Sequence, residues 1–214
     1  MTGKALIARA VEMGLVCVGL PIAAAYLNRT SDFPLMPAKI LLIVVAFLLL
    51  WRDPQFDRRN LFRPAAVASG WKRVLARFLI LAAVLGVIFV IRRPAPAFEF
   101  PRQHPGAWLS FVIFAPVVPA YPEEFLFRAF FFHRYGPLLP NRWLRITASA
   151  TVFSLAHLYL ANGWAVGLAF AGGILFAETY ERSRSAALAS LEHGLWAGYL
   201  FTIGFGPFFY PGLR

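Results

Sequence analysis

Apolar residues along this chain gather in long runs that short polar stretches separate. A helix needs about 20 mostly apolar residues to cross a membrane, and the runs are close to that length. They predict seven membrane-spanning helices, with six to eight possible because the fourth run is ambiguous. The predicted spans are residues 5–27, 35–51, 72–91, 106–121, 143–161, 164–180 and 186–205. The pattern therefore predicts an all-α, polytopic integral membrane protein.

Three prolines interrupt the fourth run: Pro116, Pro119 and Pro122. An apolar, helix-compatible stretch nevertheless continues to about Tyr135. Proline is tolerated at membrane depth where neighbouring helices or side chains satisfy the backbone groups that it frees. We therefore expect a kinked helix here, packed against protein rather than lipid.

The composition agrees with a chain that lies mostly in lipid, because 59% of its residues are hydrophobic and only 14% are charged. Soluble domains have about 25% charged residues. The net charge of +11 is carried by basic clusters between the apolar runs, which is the arrangement that orients membrane helices. No basic face with stacking aromatic residues is evident. The expected partner is thus the lipid bilayer and not nucleic acid.

The basic clusters also predict the orientation of the chain. Segment 52–77 carries seven Lys and Arg residues, and seven spans place it on the same side as the N-terminus. The positive-inside rule then puts the N-terminus in the cytoplasm. The first run resembles a signal peptide, but its length predicts a retained helix. The compact loops suggest a bacterium, so the bacterial cytoplasmic membrane is the expected location.

A Pro-rich stretch, residues 92–105, is the best candidate for an internal boundary. It divides the N-terminal helices and linker, residues 1–105, from a C-terminal helical core, residues 106–214. Nearly all polar residues at membrane depth lie in the second part. We therefore expect the chemistry of the protein to lie in residues 106–214.

Three charged residues, Glu123, Glu124 and Arg128, lie among the aromatic residues of the fourth run. An ionisable residue at the centre of a bilayer costs about 2.5–3.5 kcal/mol on insertion scales. Glu124 and Arg128 are four residues apart, so they share a helix face and can form a salt bridge. Glu123 points about 100° away and has no local partner, which leaves it free for chemistry. The alternative is an interfacial patch in which all three side chains reach water.

Two histidines, His157 and His193, lie in later apolar runs. A single membrane histidine is often only an interhelical hydrogen bonder, but two of them with an unpaired glutamate suit two chemistries. One is hydrolysis by carboxylate-activated water, in which the imidazoles position the water and stabilise an oxyanion. The other is a zinc site made by Glu123, His157 and His193. A further charged group, Glu178, Glu181 and Arg182, is most simply a solvated cytoplasmic turn.

The order of these residues resembles a known family. Glu123-Glu124-x-x-x-Arg128, then Phe153-x-x-x-His157, then His193 in a late helix are similar to the three motifs of the CPBP family, the CAAX-protease and bacteriocin-processing enzymes, also called the ABI family. The resemblance covers about residues 106–205, and all three motifs fall on predicted membrane helices. It implies an intramembrane protease with a glutamate-type, metal-free mechanism and no cofactor, zinc being the less favoured alternative.

The resemblance also implies roles for the site residues. Glu123 would be the general base that activates water, and His157 would help to hold that water. Glu124 and Arg128 would be a supporting pair, and His193 would help to stabilise the oxyanion. The implied reaction is hydrolysis of a peptide bond in a membrane-associated protein or peptide, which amounts to C-terminal or leader processing.

One position departs from the family. Its third motif usually has Asn or Asp four residues after the histidine, where this chain has Ala197. An amide donor in an oxyanion hole is worth about 10²–10³ in rate, and Asn162 is a possible substitute. A non-catalytic immunity or scaffold protein of the same family is therefore the first alternative. A proton-coupled transporter is the second, and the lack of a visible inverted repeat disfavours it.

Overall fold

The computed structural model describes residues 3–92 and 97–210, and every regular element within them is helical. The predicted all-α fold is confirmed over these residues. We number the helices in chain order, joining α-helical and π-helical segments that run on without a break. They are α1 (Gly3–Thr30), α2 (Leu35–Arg52), α3 (Pro64–Arg92), α4 (Glu99–Gln103), α5 (Pro105–Leu138), α6 (Arg142–Leu155), α7 (Gly163–Ser183), α8 (Ala186–Thr202) and α9 (Gly206–Phe209).

Within the described ranges, three helices are long and apolar enough to cross a membrane by length and composition: α1, α2 and α5. Large apolar side chains on α1 and α2 point outward, among them Ile7, Ile40 and Leu41. Such contiguous apolar surface is expected where the surrounding medium is hydrocarbon. These helices match the predicted spans 5–27, 35–51 and 106–121.

The prediction of seven spans is met only in part. The predicted span 143–161 corresponds to α6, which has 14 residues. At 1.5 Å per residue it is about 21 Å long, which is shorter than the roughly 30 Å of a hydrocarbon core. Beyond it the chain forms a short 3₁₀ turn, Leu158–Leu160, before α7 begins. Helices α3, α7 and α8 overlap the remaining predicted spans, and the total of seven stays a prediction.

The long helix α5 contains the three prolines and confirms the expected continuation to about Tyr135. Two π-helical stretches interrupt its α-helical geometry, Pro116–Ala120 and Phe125–Phe130. In the first stretch the Ala120 N–H reaches back five residues to the Ala115 carbonyl, at 3.1 Å. The carbonyl of Pro116 also accepts a hydrogen bond from the Ser190 hydroxyl of α8. A neighbouring helix thus contributes a hydrogen bond to the backbone of the irregular turn, as expected for such a turn at membrane depth.

Helices α6, α7 and α8 pack closely at the centre of the molecule. A Cβ atom added at Gly173 of α7 would lie 2.9 Å from Cα of Ala150 on α6, so a small residue is needed there for the helices to approach. Between them lies a cluster of buried residues that includes Phe153, Phe176 and Trp196. Small residues at helix crossings are the usual way in which membrane helices gain close packing.

A second close contact joins α8 to α5 and yields a prediction. A Cβ at Gly194 would lie only 2.7 Å from the backbone nitrogen of Pro116, and that backbone cannot move without disturbing the π turn. We expect Gly194→Ala to lower the unfolding temperature in detergent micelles by several degrees. Gly167→Ala is the matched control, because nothing lies within 4 Å of its added Cβ and alanine is the better helix former. Equal unfolding temperatures for the two variants would show that the close approach of Gly194 to Pro116 does not limit the size of the residue there.

The expected boundary at 92–105 is described only in part, because residues 93–96 lie outside the described residues. The remainder is not an extended linker, since Glu99–Gln103 is helical. The first part of the chain also contacts the second directly, as α3 packs on α8. The division into residues 1–105 and 106–214 stays a prediction.

Candidate active site

The two adjacent glutamates lie on a four-residue α-helical segment of α5, Tyr121–Glu124, between the two π-helical stretches. Glu124 is fully buried, whereas 28% of the Glu123 side chain is exposed. The two carboxylates therefore have different environments although they are neighbours in sequence. The geometry agrees with the expected divergence of their side chains on a helix.

Glu124 and Arg128 form the predicted ion pair. Nε of Arg128 lies 3.1 Å from Oε2 of Glu124, and both side chains are completely buried. Arg128 Nη1 also donates to the Ser149 hydroxyl at 3.2 Å, and its guanidinium carbon lies 5.0 Å from the centre of the Phe153 ring. The alternative of a water-exposed interfacial patch is therefore wrong for Glu124 and Arg128.

His193 connects the two glutamates. Its Nδ1 lies 3.0 Å from Oε1 of Glu124, and its Nε2 lies 3.9 Å from Oε2 of Glu123. An ionised carboxylate only accepts hydrogen bonds, so Nδ1 carries a hydrogen that it donates to Glu124. The Nε2 distance is too long for a direct hydrogen bond. Glu124 thus fixes the ring so that Nε2 faces the exposed carboxylate.

His157 does not lie on a membrane helix, contrary to the sequence prediction. α6 ends at Leu155, and His157 has φ −97° and ψ 0° at the start of the 3₁₀ turn that follows. Its Nδ1 lies 2.8 Å from the carbonyl oxygen of Phe153. Because a carbonyl oxygen only accepts, Nδ1 carries the hydrogen and Nε2 of the neutral ring keeps a free lone pair.

Phe153 brings the two histidines to one place. Its ring centre lies 4.7 Å from that of His157 and 5.5 Å from that of His193. Phe176 stacks on the other side of His193, with ring centres 4.6 Å apart and planes 13° apart. Sequence analysis assigned no role to Phe176. No local spacing marks it, because its partner His193 lies on another helix.

The five predicted residues therefore form one connected group. Glu124 contacts both Arg128 and His193, His193 faces Glu123, and His157 joins through Phe153. Among the residues that the structure describes, no three His, Cys, Asp or Glu side chains are arranged to hold a metal ion. The metal-free site and its zinc alternative at Glu123, His157 and His193 both stay predictions, and we derive no step through a metal.

Asn162 does not replace the missing amide donor. Its side-chain oxygen accepts from the backbone N–H of Ala165 at 2.8 Å and caps the first turn of α7. Its side-chain nitrogen donates to the carbonyl oxygens of Leu160 and Phe208, at 3.2 and 2.9 Å. The amide is thus fully engaged in holding the turn after His157 in place. Asn162 therefore does not supply the amide donor that Ala197 lacks.

The interpretation of Glu178, Glu181 and Arg182 as a solvated turn is wrong in its main point. Only 19% of the Glu178 side chain and 10% of the Glu181 side chain are exposed. Glu178 pairs with Arg77 of α3 at 2.5 Å, and Glu181 pairs with Arg145 of α6 at 2.6 Å. These acidic residues bind arginines from other helices. The sequence around residues 178–182 does not reveal such pairs, because the partners are distant in the chain.

Residues 105–199 match the family model described as Type II CAAX prenyl endopeptidase Rce1-like. Over these residues the chain is similar to the Rce1-like family. The resemblance to CAAX proteases is thereby confirmed, over a segment that contains all five site residues and Ala197. Searches of curated proteins and of solved structures found no match.

The Rce1-like family is a family of proteases. The match to this family and the three long apolar helices together support an integral membrane protein. The segment begins at the first residue of α5 and ends within α8, so it includes the whole packed unit of α5, α6, α7 and most of α8. Helices α1 to α4 lie outside it.

Proposed function

We propose that the protein is an intramembrane endopeptidase that hydrolyses a peptide bond in a membrane-associated protein or peptide. The observation that carries this proposal is the placement of His193. Its Nδ1 is held by the buried Glu124 while its Nε2 faces the exposed carboxylate of Glu123. Hydrolysis inside an apolar protein needs a base, a water held in place and a donor for the oxyanion, and we assign these tasks to Glu123, His157 and His193.

Glu123 is the general base of the proposed reaction. Glu124 is already neutralised by Arg128 and hydrogen-bonded to His193, so it is not free to accept a proton from water. The carboxylate of Glu123 takes a proton from water, and the water oxygen attacks the carbonyl carbon of the peptide. The free lone pair on Nε2 of His157 accepts the other hydrogen of this water and orients it.

His193 stabilises the oxyanion that the attack produces. Because Nδ1 donates to Glu124, Nε2 donates a hydrogen only when the ring is an imidazolium. When the tetrahedral intermediate collapses, the C–N bond breaks and Glu123 returns its proton to the leaving amine. The proposed mechanism is metal-free because each of these steps uses a group of the chain itself.

The substrates that we propose are hydrophobic C-terminal or leader segments of other membrane-associated proteins. In a eukaryote the substrate would carry a prenylated CaaX end, whereas in a bacterium a sorting or anchor segment fits better. The basic residues of segment 52–77 support an N-terminus in the cytoplasm. The compact loops support a bacterial cytoplasmic membrane as the location that we propose.

A comparison of membrane proteomes tests the proposal. Membranes from cells with and without this protein are analysed by mass spectrometry for new protein termini. We expect at least one membrane protein to lose a terminal segment only when the protein is present. The same preparations are incubated with an excess of a zinc chelator, and cleavage is expected to persist. A set of termini that is identical in both membranes would overturn the proposed function, and chelator-sensitive cleavage restored by zinc would overturn the metal-free mechanism.

A non-catalytic scaffold or immunity protein is the second candidate, and Ala197 is the observation that favours it. Asn162 is engaged elsewhere, so it does not replace the usual donor. We expect Ala197→Asn to raise the cleavage rate by about tenfold or more, since one oxyanion donor is worth about 10²–10³. Cleavage by the Ala197→Asn protein alone, with none by the wild type, would establish the non-catalytic candidate.

A further inference from the structure

An arginine outside the Rce1-like segment contacts Glu192, the residue that precedes His193 of the candidate site. Arg77 of α3 lies between α7 and α8, and 21% of its side chain is exposed. We propose that Arg77 is a positioning residue that holds His193 in register with Glu123. This inference rests on the proposed function of the site, and it concerns the part of the chain that precedes residue 105.

The main partner of Arg77 is Glu192, the residue directly before His193. The Glu192 side chain is completely buried, and its Oε1 accepts from Nη2 of Arg77 at 2.5 Å and from Nε at 3.1 Å. Two adjacent guanidinium nitrogens thus grip one carboxylate oxygen. An arginine fork restricts the direction of such a contact as well as its distance. The backbone of α8 is therefore fixed at the residue next to the histidine.

The same guanidinium also binds α7 at the level of the Phe176 ring. Nη2 donates to the Thr179 hydroxyl at 2.7 Å and to the Leu175 carbonyl at 3.2 Å. Nη1 contacts Glu178 at 2.5 Å. These partners flank Phe176 in sequence, and Phe176 is the ring that stacks on His193.

Thr179 closes the network, because its hydroxyl donates to Oε2 of Glu192 at 2.6 Å. Arg77 is therefore the common partner of the two helices that carry the stacked pair of Phe176 and His193. Without the guanidinium, Glu192 would be a buried carboxylate without a cationic partner, beside the Glu124 that holds His193. A buried charge that loses its partner is strongly unfavourable, so α8 would shift to relieve it. Such a shift would move Nε2 of His193 away from Glu123.

The charges around the site support a positioning role. Arg128 neutralises Glu124, and Arg77 neutralises Glu192, which is likewise completely buried. Glu178 has a second cationic partner, Arg182, at 2.7 Å. Glu123 is then the carboxylate whose charge faces a histidine without an arginine against it. The N-terminal helices thus contribute to the balance of charge on which the proposed base depends.

The test compares Arg77→Met and Arg77→Lys with the wild type in detergent micelles. We expect Arg77→Met to lower kcat by about 10²-fold, because a displacement of about 1 Å can cost that much, with KM changed less than about twofold. Arg77→Lys keeps the charge but loses the fork, so it should recover part of kcat. The substrate is the one found by the proteome comparison.

A second measurement needs no substrate. Nuclear magnetic resonance of protein labelled with ¹⁵N-histidine should show the His193 ring signals displaced in Arg77→Met, with those of the exposed His104 unchanged. Arg134→Met is the matched control, because Arg134 pairs with Glu12 at 2.7 Å on helices that do not carry His193. It should leave the His193 signals in place. An active wild type with unchanged kcat and unchanged His193 signals in Arg77→Met would overturn the inference and leave the proposed function standing.

If the single variant does not fold, Arg77→Met is combined with Glu192→Met. Replacing both partners of a buried ion pair by apolar side chains is often nearly neutral for stability. The double variant should therefore fold but still show displaced His193 signals. Wild-type His193 signals in the folded double variant would overturn the positioning role. Displaced signals in a chain whose wild type cleaves nothing would support the positioning of His193 while the proposed function fails.

Discussion

Glu123→Gln is expected to remove hydrolysis while leaving the folded protein intact. Glutamine has nearly the shape of glutamate but does not accept a proton from water, and a positioned general base contributes about 10²–10⁴-fold in rate. Glu123 is partly exposed, and Nε2 of His193, its ion-pair partner within the described residues, lies beyond hydrogen-bond distance. The substitution should therefore hardly change stability. The measurement is single-turnover cleavage in liposomes, together with the unfolding temperature of the same samples.

The control for this prediction is Glu99→Gln. Glu99 is an exposed glutamate on α4 whose side chain contacts Gln103 of the same helix at 2.9 Å. Its substitution removes the same charge far along the chain from the site and should leave the rate unchanged. A Glu123→Gln protein that retains more than about a tenth of the wild-type rate would show that another group is the base.

Arg128→Met is expected to have the largest effect on stability. It leaves Glu124, whose side chain is completely buried, without its cationic partner. Breaking a buried ion pair by removing one partner costs about 3–5 kcal/mol. The free energy of unfolding, measured by denaturant titration in micelles, should fall by this amount. Changing Glu124→Gln in the same chain should restore most of the loss, because the uncompensated charge is then gone.

Arg134→Met provides a matched comparison for the Arg128 prediction. The Arg134–Glu12 pair has a similar distance, 2.7 Å, but its side chains are 26% and 32% exposed. Exposed ion pairs contribute about 0–1 kcal/mol. The fall in unfolding free energy should be several times smaller than for Arg128→Met. Equal losses for the two variants would contradict the view that burial makes the Glu124–Arg128 pair important.

Several features of the site could be predicted because they depend on local spacing. Glu124 and Arg128 are four positions apart on one helix, so a helical turn brings them together. Phe153 and His157 have the same spacing, and they meet although the helix ends between them. The length and apolar character of α1, α2 and α5 follow from runs of similar residues. The sequence therefore indicates the helical class and the residues of the site without knowledge of the packing.

Other features depend on contacts between distant parts of the chain. Arg77 and Glu192 are 115 residues apart, and Arg77 was read only as one of the basic residues that orient the chain. A charged residue in the apolar stretch VLARFLIL and another in LASLEHGLW are the signal that could have suggested a pair, since buried charges need partners. The turn at His157 was missed for a similar reason. Asn162 holds that turn through the carbonyl of Phe208, on a later helix.

The two wide turns of α5 have a consequence for how this chain can change. A π-helical stretch holds one more residue than the α-helical turn it replaces, and one such stretch lies on each side of Tyr121–Glu124. Loss of a single residue from either stretch would rotate the glutamates by about 100° about the helix axis, relative to the part of α5 on the far side of that stretch. Substitutions along the lipid-facing side, such as at Val117 and Val118, which are 67% and 65% exposed, leave that rotation untouched. The number of residues in this helix is therefore under tighter constraint than the identity of those on its exposed side.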